Sequence, residues 1–255
     1  MTDAFYSGES EASPDQDWIL PGPSPCHHQA RDLLRLYGDW EAEPLLRVMI
    51  RDIFPGRIAL VSSFGAESAV LLALVAGVDP ATPVLFLDTG KLFPETLVYR
   101  DRLVAQLGLK DVRVLEPEPR AIAREDTYGE LWRIDADRCC ALRKIEPLER
   151  GLAGFEAWIT GRKRFQGGQR SNLATIEAEP SGRIKINPLA AWSMQQIVSY
   201  FAASGLPPHP LEQAGYRSIG CLPCTAPVAP GEDPRAGRWC GRGKTECGIH
   251  RPART

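Results

Sequence analysis

At 255 residues, with 44% hydrophobic and 24% charged side chains, the chain has the make-up of a globular protein able to bury one large core or two small ones. Its net charge of −2 argues against general affinity for nucleic acid or a membrane surface. The longest apolar run, Ala69–Ala76, is far too short to cross a bilayer.

Charge is distributed unevenly. Residues 1–20 carry five acidic and no basic side chains, and residues 1–25 read as a disordered or loosely packed leader. No positively charged start leads into an apolar run, so no secretory signal is expected. Residues 235–255 carry six basic side chains and one acidic, a tail that either approaches an anion or is simply solvated.

Between these ends, strand and helix patterns alternate. Arg57–Ser62 reads as a buried strand, followed by a helix over Ala66–Ala76 that Gly77 stops. Thr82–Leu87 is a second strand, and Pro94–Leu107 a helix with proline at its start and Gly108 past its end. Val112–Leu115 and Ala157–Thr160 are the third and fourth strands, and Arg183–Ile186 the fifth. A helix capped by Ser193 runs to Ala203. This alternation predicts an α/β fold with a mostly parallel sheet, whose ligands bind at the carboxyl ends of the strands. Residues 26–205 are expected to form that body, and 206–255 a loop-rich C-terminal segment.

The expected strand ends are polar. After the first come Ser62, Ser63, Phe64, Gly65, Ala66, Glu67 and Ser68, small residues that free backbone N–H groups at a helix start for an anion. Taken alone, that turn is explained more simply by a well-capped helix start, and no Walker loop is present. After the second strand come Thr89 and Gly90. After the fourth come Arg162, Lys163 and Arg164, with Arg170 beyond Gly167-Gly168, and basic groups there can neutralise phosphate or sulfate. Three such turns at one sheet edge point to a nucleotide-sized anionic ligand.

Seven cysteines cannot all pair within one chain, which fits a reducing, cytoplasmic setting. Cys139-Cys140 and the C-x-x-C of Cys221 and Cys224 offer four thiolates. Adjacent cysteines do not readily share one tetrahedral zinc, whereas four thiolates are the usual ligands of a 4Fe–4S cluster. Zinc binding and redox or structural thiols stay open as alternatives. Lys144 follows one helical turn after Cys140, either beside such a cluster or on the surface. Cys247 stands apart, with Arg235, Arg238, Arg242, Lys244 and His250 nearby. Such a setting favours a reactive thiolate, although a free cysteine near a terminus can equally be inert.

The ordered motifs SSFGAES, LDTGKLFPET, CCALRKIEPL, WITGRKRFQGGQR, KINPLAAWS, GYRSIGCLPCT and KTECGIH, from about Ile58 to His250, carry a resemblance. The chain resembles the assimilatory adenylyl-sulfate reductases, relatives of the phosphoadenylyl-sulfate reductases. That resemblance implies a sheet of the adenine-nucleotide α-hydrolase type and one 4Fe–4S cluster on Cys139, Cys140, Cys221 and Cys224. It further implies Cys247 as nucleophile, and Lys144 and the pair Arg235/Arg238 at the substrate. The implied reaction converts adenosine 5′-phosphosulfate to sulfite and AMP through an S-sulfonate on Cys247. Reduced thioredoxin or glutaredoxin would then resolve that intermediate, and a homo-oligomer is compatible with the pattern.

Two departures stand out: Cys240-Gly241 follow Trp239 where the family often carries further aromatics, and Phe165–Gly168 replaces a common Asp-Gln-Ser. The rival readings are a reductase of the 3′-phosphorylated nucleotide, a tRNA-thiolating relative, and a non-enzymatic iron–sulfur sensor. The tRNA-thiolating reading lacks its Ser-Gly-Gly-x-Asp-Ser loop. Only Lys144, among the basic residues, is expected to lie beside the cluster.

Overall fold

A computed structural model of the chain describes residues 25–240, 244 and 246–250. The expected leader and Arg242 thus lie outside the described residues, save that Pro25 opens the first helix. That helix, α1 (Pro25–Tyr37), is followed by α2 (Ala42–Val48), and neither is anticipated from the sequence reading.

The body then alternates: β1 (Ile58–Ser62), α3 (Ser68–Val78), β2 (Val84–Leu87), α4 (Pro94–Leu107) and β3 (Val112–Leu115). Helix α3 starts later than expected because Ala66 and Glu67 belong to a turn closed by Ser68 N–H donating to the Gly65 carbonyl at 3.0 Å. Gly77 lies inside it. The helix ends at Asp79-Pro80, where Asp79 is extended, the conformation favoured before proline. Helix α4 ends as its sequence predicts, with Gly108 left-handed at φ +62°.

Short helices α5 (Pro119–Glu125), α6 (Leu131–Ile134) and α7 (Ala136–Cys140) follow. Helix α7 runs through a π-helical turn, Ala141–Ile145, into α8 (Glu146–Gly151). Then come β4 (Ala157–Ile159), β5 (Ile176–Ala178), β6 (Ile184–Ile186) and α9 (Met194–Ala203). Ser193 caps α9, accepting from Gln196 N–H at 3.2 Å.

The sheet order is β3-β2-β1-β4-β6-β5, and every pairing is parallel except β5 against β6. Sequence reading misses β5, a short edge strand whose centre is Glu177. The chain leaves β1 in one direction to build β2 and β3, then returns to lay β4 on the other side. The carboxyl ends of β1 and β4 therefore flank the switch point where such sheets open a crevice.

Helix α3 is apolar all round and buries Ala69, Val70, Leu71, Leu72, Leu74, Val75 and Val78 in the main core. A smaller cluster of Ala59, Leu85, Leu87, Leu148, Leu152 and Trp158 packs with Ile249 from the C-terminal tail. Among the described residues, no helix is long and apolar enough to cross a membrane.

Candidate active site

The crevice holds a cavity of about 510 Å³ at the ends of β1 and β4. Ser62, Ser63, Gly65, Glu67 and Ser68 line it from the turn after β1, and Thr160, Gly161, Arg162 and Lys163 from the segment after β4. Thr89, Lys144, Arg170, Arg235, Arg238, Cys247 and His250 complete most of the expected set.

Phe64, Gly90 and Arg164 are not among the lining residues, and each has a local reason. Phe64 is left-handed at φ +47°, a conformation secured by its N–H donating to Ser62 Oγ at 3.2 Å. Its fully buried ring turns inward, edge-on to Phe86 at 5.3 Å. Gly90 N–H is held by Asp88 Oδ1 at 2.9 Å, and Arg164 Nε donates to the Leu173 carbonyl at 2.8 Å.

Much of the expected basic charge is already balanced. Arg162 is buried and pairs with Glu177 of β5, while its Nη2 also reaches Asn187 Oδ1 at 3.2 Å. Lys163, almost fully buried, donates to Glu67 Oε2 at 2.6 Å. Burial pushes both cations below their ordinary range, and the carboxylates only partly offset this. Lys163, part of the basic run after the fourth strand, lines the cavity as well, whereas sequence reasoning did not place Gln166, Arg217, Trp239 or Glu246 there.

The four expected ligand cysteines line one smaller cavity with Lys91, Trp132, Arg143, Lys144 and Pro223. Asp135 caps α7 by accepting from Arg138 N–H at 2.8 Å, which fixes the helix bearing Cys139 and Cys140. The distant Cys221 is brought over by a backbone bridge to Leu92, and Leu222 N–H donates to the Lys91 carbonyl at 2.8 Å. Arg143 clamps the region, bonding buried Asp126 Oδ2 at 2.6 Å and the Thr89 carbonyl at 2.7 Å.

Burial, then the neighbouring Cys140, pushes the Cys139 thiol up to about 11, and burial also raises Cys140. Burial raises Cys221 too, but Lys144, the Thr89 hydroxyl 3.2 Å away and Arg238 outweigh it and bring that thiol down. Three thiols are buried and the fourth, Cys224, is partly exposed. Among the described residues, no three His, Cys, Asp or Glu side chains form a set suited to a single metal ion.

Lys144 connects the two cavities, lining both. Burial pushes its ammonium down, yet Cys221, Cys247 and Cys140 together raise it well above the ordinary lysine range. Arg238 lies closer to this region than sequence reading expects. A Cβ on Gly220, the residue before Cys221, would come 2.3 Å from Arg238 Nη2. Arg238 also bridges to Thr225 through its backbone, and its guanidinium lies over Trp239 at 4.4 Å.

The tail is docked on this wall. Glu246 pairs with Arg170, Lys244 pairs with Asp137 of α7, and His250 lies against Trp158. Cys247, partly exposed, thereby faces the same cavity as the β1 turn and Lys144. Cys240 is exposed, its Sγ donating to the Ala236 carbonyl at 3.3 Å.

Residues 57–227 match the phosphoadenosine phosphosulfate reductase domain family. A Mesorhizobium japonicum protein named adenosine 5′-phosphosulfate reductase is 52% identical over 242 residues, 91% of this chain and 95% of its own length. A Gloeobacter violaceus protein named phosphoadenosine 5′-phosphosulfate reductase is 42% identical over 222 residues, 86% of this chain and 92% of that one. Among solved structures, the phosphoadenylyl-sulfate reductase of Candida auris in its phosphate complex superposes with a TM-score of 0.67 at 27% identity, covering 78% of this chain and 97% of that one. The FMN adenylyltransferase of Candida glabrata, at 16% identity and a TM-score of 0.53 over 79% of this chain and 71% of that one, shares the fold alone. The chain belongs to the phosphoadenosine phosphosulfate reductase family.

Proposed function

We propose that this protein reduces adenosine 5′-phosphosulfate to sulfite and AMP in sulfate assimilation, with Cys247 as nucleophile. The observation that carries the reading is that Cys247 faces the switch-point cavity together with the Ser62–Ser68 turn, Lys144 and Arg238. Relatives at 52% and 47% identity bear the name of that activity.

The nucleotide lies across the strand ends, its phosphosulfate toward the β1 turn and the basic wall. The Cys247 thiolate attacks the sulfate sulfur, an S–S bond forms, and the bond from sulfur to the phosphate oxygen breaks. AMP leaves with that electron pair, its charge met by Lys144, Arg235 and Arg238. A dithiol protein, thioredoxin or glutaredoxin, then attacks Cys247 Sγ and releases sulfite. Its second thiol resolves the mixed disulfide, so two electrons pass from the dithiol to the substrate sulfur. Unpaired reactive thiols of this kind suit a cytoplasmic location.

Cys139, Cys140, Cys221 and Cys224 would hold one 4Fe–4S cluster. Their placement around a common cavity supports that reading. Bound there, such a cluster would supply a fixed negative charge toward which Lys144 could be oriented. In this reading residues 26–205 form the nucleotide and cluster body, while 206–255 carry the second cysteine pair and the reactive thiol.

The 3′-phosphorylated nucleotide is the second reading, favoured by the name of the Gloeobacter violaceus relative. Against it, the charge of Arg162 is already committed to Glu177 and that of Arg170 to Glu246. The deciding experiment is sulfite release by purified protein with thioredoxin and each nucleotide in turn. Higher kcat/KM for adenosine 5′-phosphosulfate is expected, and a preference for the phosphorylated form reverses the assignment. Cys247→Ser should abolish release while leaving nucleotide binding nearly intact.

A further inference from the structure

Glu246 immediately precedes the reactive thiol, and its carboxylate is bound at both oxygens. Arg170 Nε donates to Oε1 at 2.5 Å and Nη2 to Oε2 at 2.8 Å. Arg235 Nη2 stands 3.5 Å from Oε1. The Arg170 and Glu246 side chains are only 11% and 12% exposed, so little water screens the pair. Burial alone pushes the Glu246 carboxyl up, but the Arg170 bonds and charge, with Arg235, bring it below the ordinary carboxylate range.

The network continues past Arg170. Its Nη1 donates to Gln166 Oε1, and Gln166 Nε2 donates to Glu67 Oε2 at 3.1 Å, where Lys163 Nζ also binds. A continuous line of hydrogen bonds thus joins the tail to the loop after β4 and the turn after β1.

A carboxylate beside a nucleophilic thiolate is costly in isolation. It disfavours the thiolate and repels an anionic substrate. Two-point pairing with a guanidinium neutralises that charge and fixes both direction and distance. From this geometry we infer that Glu246 is a positioning residue, whose paired contact with Arg170, supported by Arg235, latches the tail so that Cys247 faces the cavity. The inference rests on Cys247 being the nucleophile. The competing account makes Glu246 a stand-in for the substrate's anion, displaced when substrate binds, and it predicts the opposite kinetics.

Two readouts separate them. In a Cys240→Ser background, labelling of Cys247 by a bulky neutral maleimide, followed on its own peptide by mass spectrometry, reports docking without any turnover. Compared at equal thiolate fraction, taken from each variant's own pH–rate profile, Glu246→Gln should label about 10- to 100-fold faster than its parent, the scale of a lost charge-assisted pair. Glu246→Arg should do the same, and adding Arg170→Glu to it should restore slow labelling. In steady state, Glu246→Gln should lower kcat with KM within about twofold of the parent. Unchanged labelling in both single variants, or a lower KM with kcat maintained, would overturn the latch. Should the parent itself release no sulfite, the functional reading fails, whereas the labelling still decides the latch.

Discussion

His250 lies flat on the indole of Trp158, with ring centroids 5.6 Å apart and planes within 6° of parallel. Trp158 belongs to β4, and its other contacts hold it fast: Nε1 donates to Glu179 Oε2 at 2.7 Å and Lys185 Nζ sits 4.7 Å from the ring. The tail is therefore moored to β4, beside the switch point, at His250, three residues beyond Cys247. Burial, then Arg162 and Lys185, drives the imidazole well below its ordinary pKa, and its buried Nδ1 has no hydrogen-bond partner among the described residues. A neutral ring stacked in this way acts through its shape.

Replacing that ring tests the point. An aromatic pair contributes about 0.5–1.5 kcal/mol beyond the area it buries, or about 2- to 13-fold in the docked population. His250→Ala should accordingly lower the rate of S-sulfonate formation on Cys247 by about that factor, while His250→Phe should retain most of it. Stopped-quench mass spectrometry of Cys247 after mixing with adenosine 5′-phosphosulfate, without thioredoxin, reads the rate directly. Equal losses in both variants would instead give the imidazole nitrogens a direct role at the substrate.

The cysteine cavity makes a separate prediction. Cys139 and Cys140 sit on a capped helix, and Cys221 is pinned by its bridge to Leu92. Anaerobically purified protein should be brown and hold about four irons per chain. Cys140→Ser or Cys224→Ser should lose the colour. A colourless, fully active protein carrying stoichiometric zinc would contradict the assignment.

How much of this was legible beforehand follows from how local each signal is. Strand β3 and helix α4 follow their sequence limits because apolar runs, Pro94 and Gly108 encode them within a few residues. Strand β5 is invisible locally, since Ile176–Ala178 is short and exists through its pairing with β6. The cysteine pairs are visible as spacing, and the bridge to Leu92 that positions Cys221 is not, because it is a backbone contact across about 130 residues. Charge is the least legible feature. Arg162 reads as a free cation in the sequence, whereas its carboxylate partner stands on the strand the sequence conceals.

Arg238 illustrates the same limit and changes a prediction. Sequence spacing places only Lys144 beside the cluster, but Arg238 crowds Gly220 and lowers the Cys221 thiol along with Lys144. Lys144→Ala and Arg238→Ala should both weaken substrate binding by about 10- to 150-fold, the worth of a charge-assisted hydrogen bond. Both should also alter the cluster spectrum. Gly220→Ala should reproduce part of the Arg238 effect, because the added methyl displaces the guanidinium. Titration of each variant with nucleotide, alongside its visible and Mössbauer spectra, checks this. A cluster spectrum that Arg238→Ala leaves untouched would restore the sequence-based view.

His209 sets the acid limit of stability. It is fully buried, its Nδ1 accepts from Leu211 N–H at 3.2 Å, and its Nε2 stands 3.1 Å from Thr96 Oγ1. With Nδ1 committed as acceptor, the proton resides on Nε2 and is donated to the threonine. The ring also meets Tyr99 edge-on at 4.8 Å, and the Tyr99 hydroxyl donates to the Pro207 carbonyl at 2.7 Å. Together these contacts tie the segment leading to Cys221 onto α4. A second proton would force Nδ1–H against the Leu211 N–H. Burial, partly opposed by Glu95, accordingly lowers the imidazole from 6.5 to about 4. Because the unfolded chain takes up this proton first, stability is complete above about pH 6.5 and falls as the pH drops toward 4. The loss across that window is roughly 2–3 kcal/mol from this residue. His209→Asn can keep an acceptor near Nδ1 but cannot titrate. It should be less stable than the parent at pH 7.5 and lose less on acidification, so urea midpoints of the two proteins should converge by pH 5. Parallel pH profiles would mean that the folded protein and the unfolded chain take up the His209 proton over the same pH range, and the lowered pKa would be wrong.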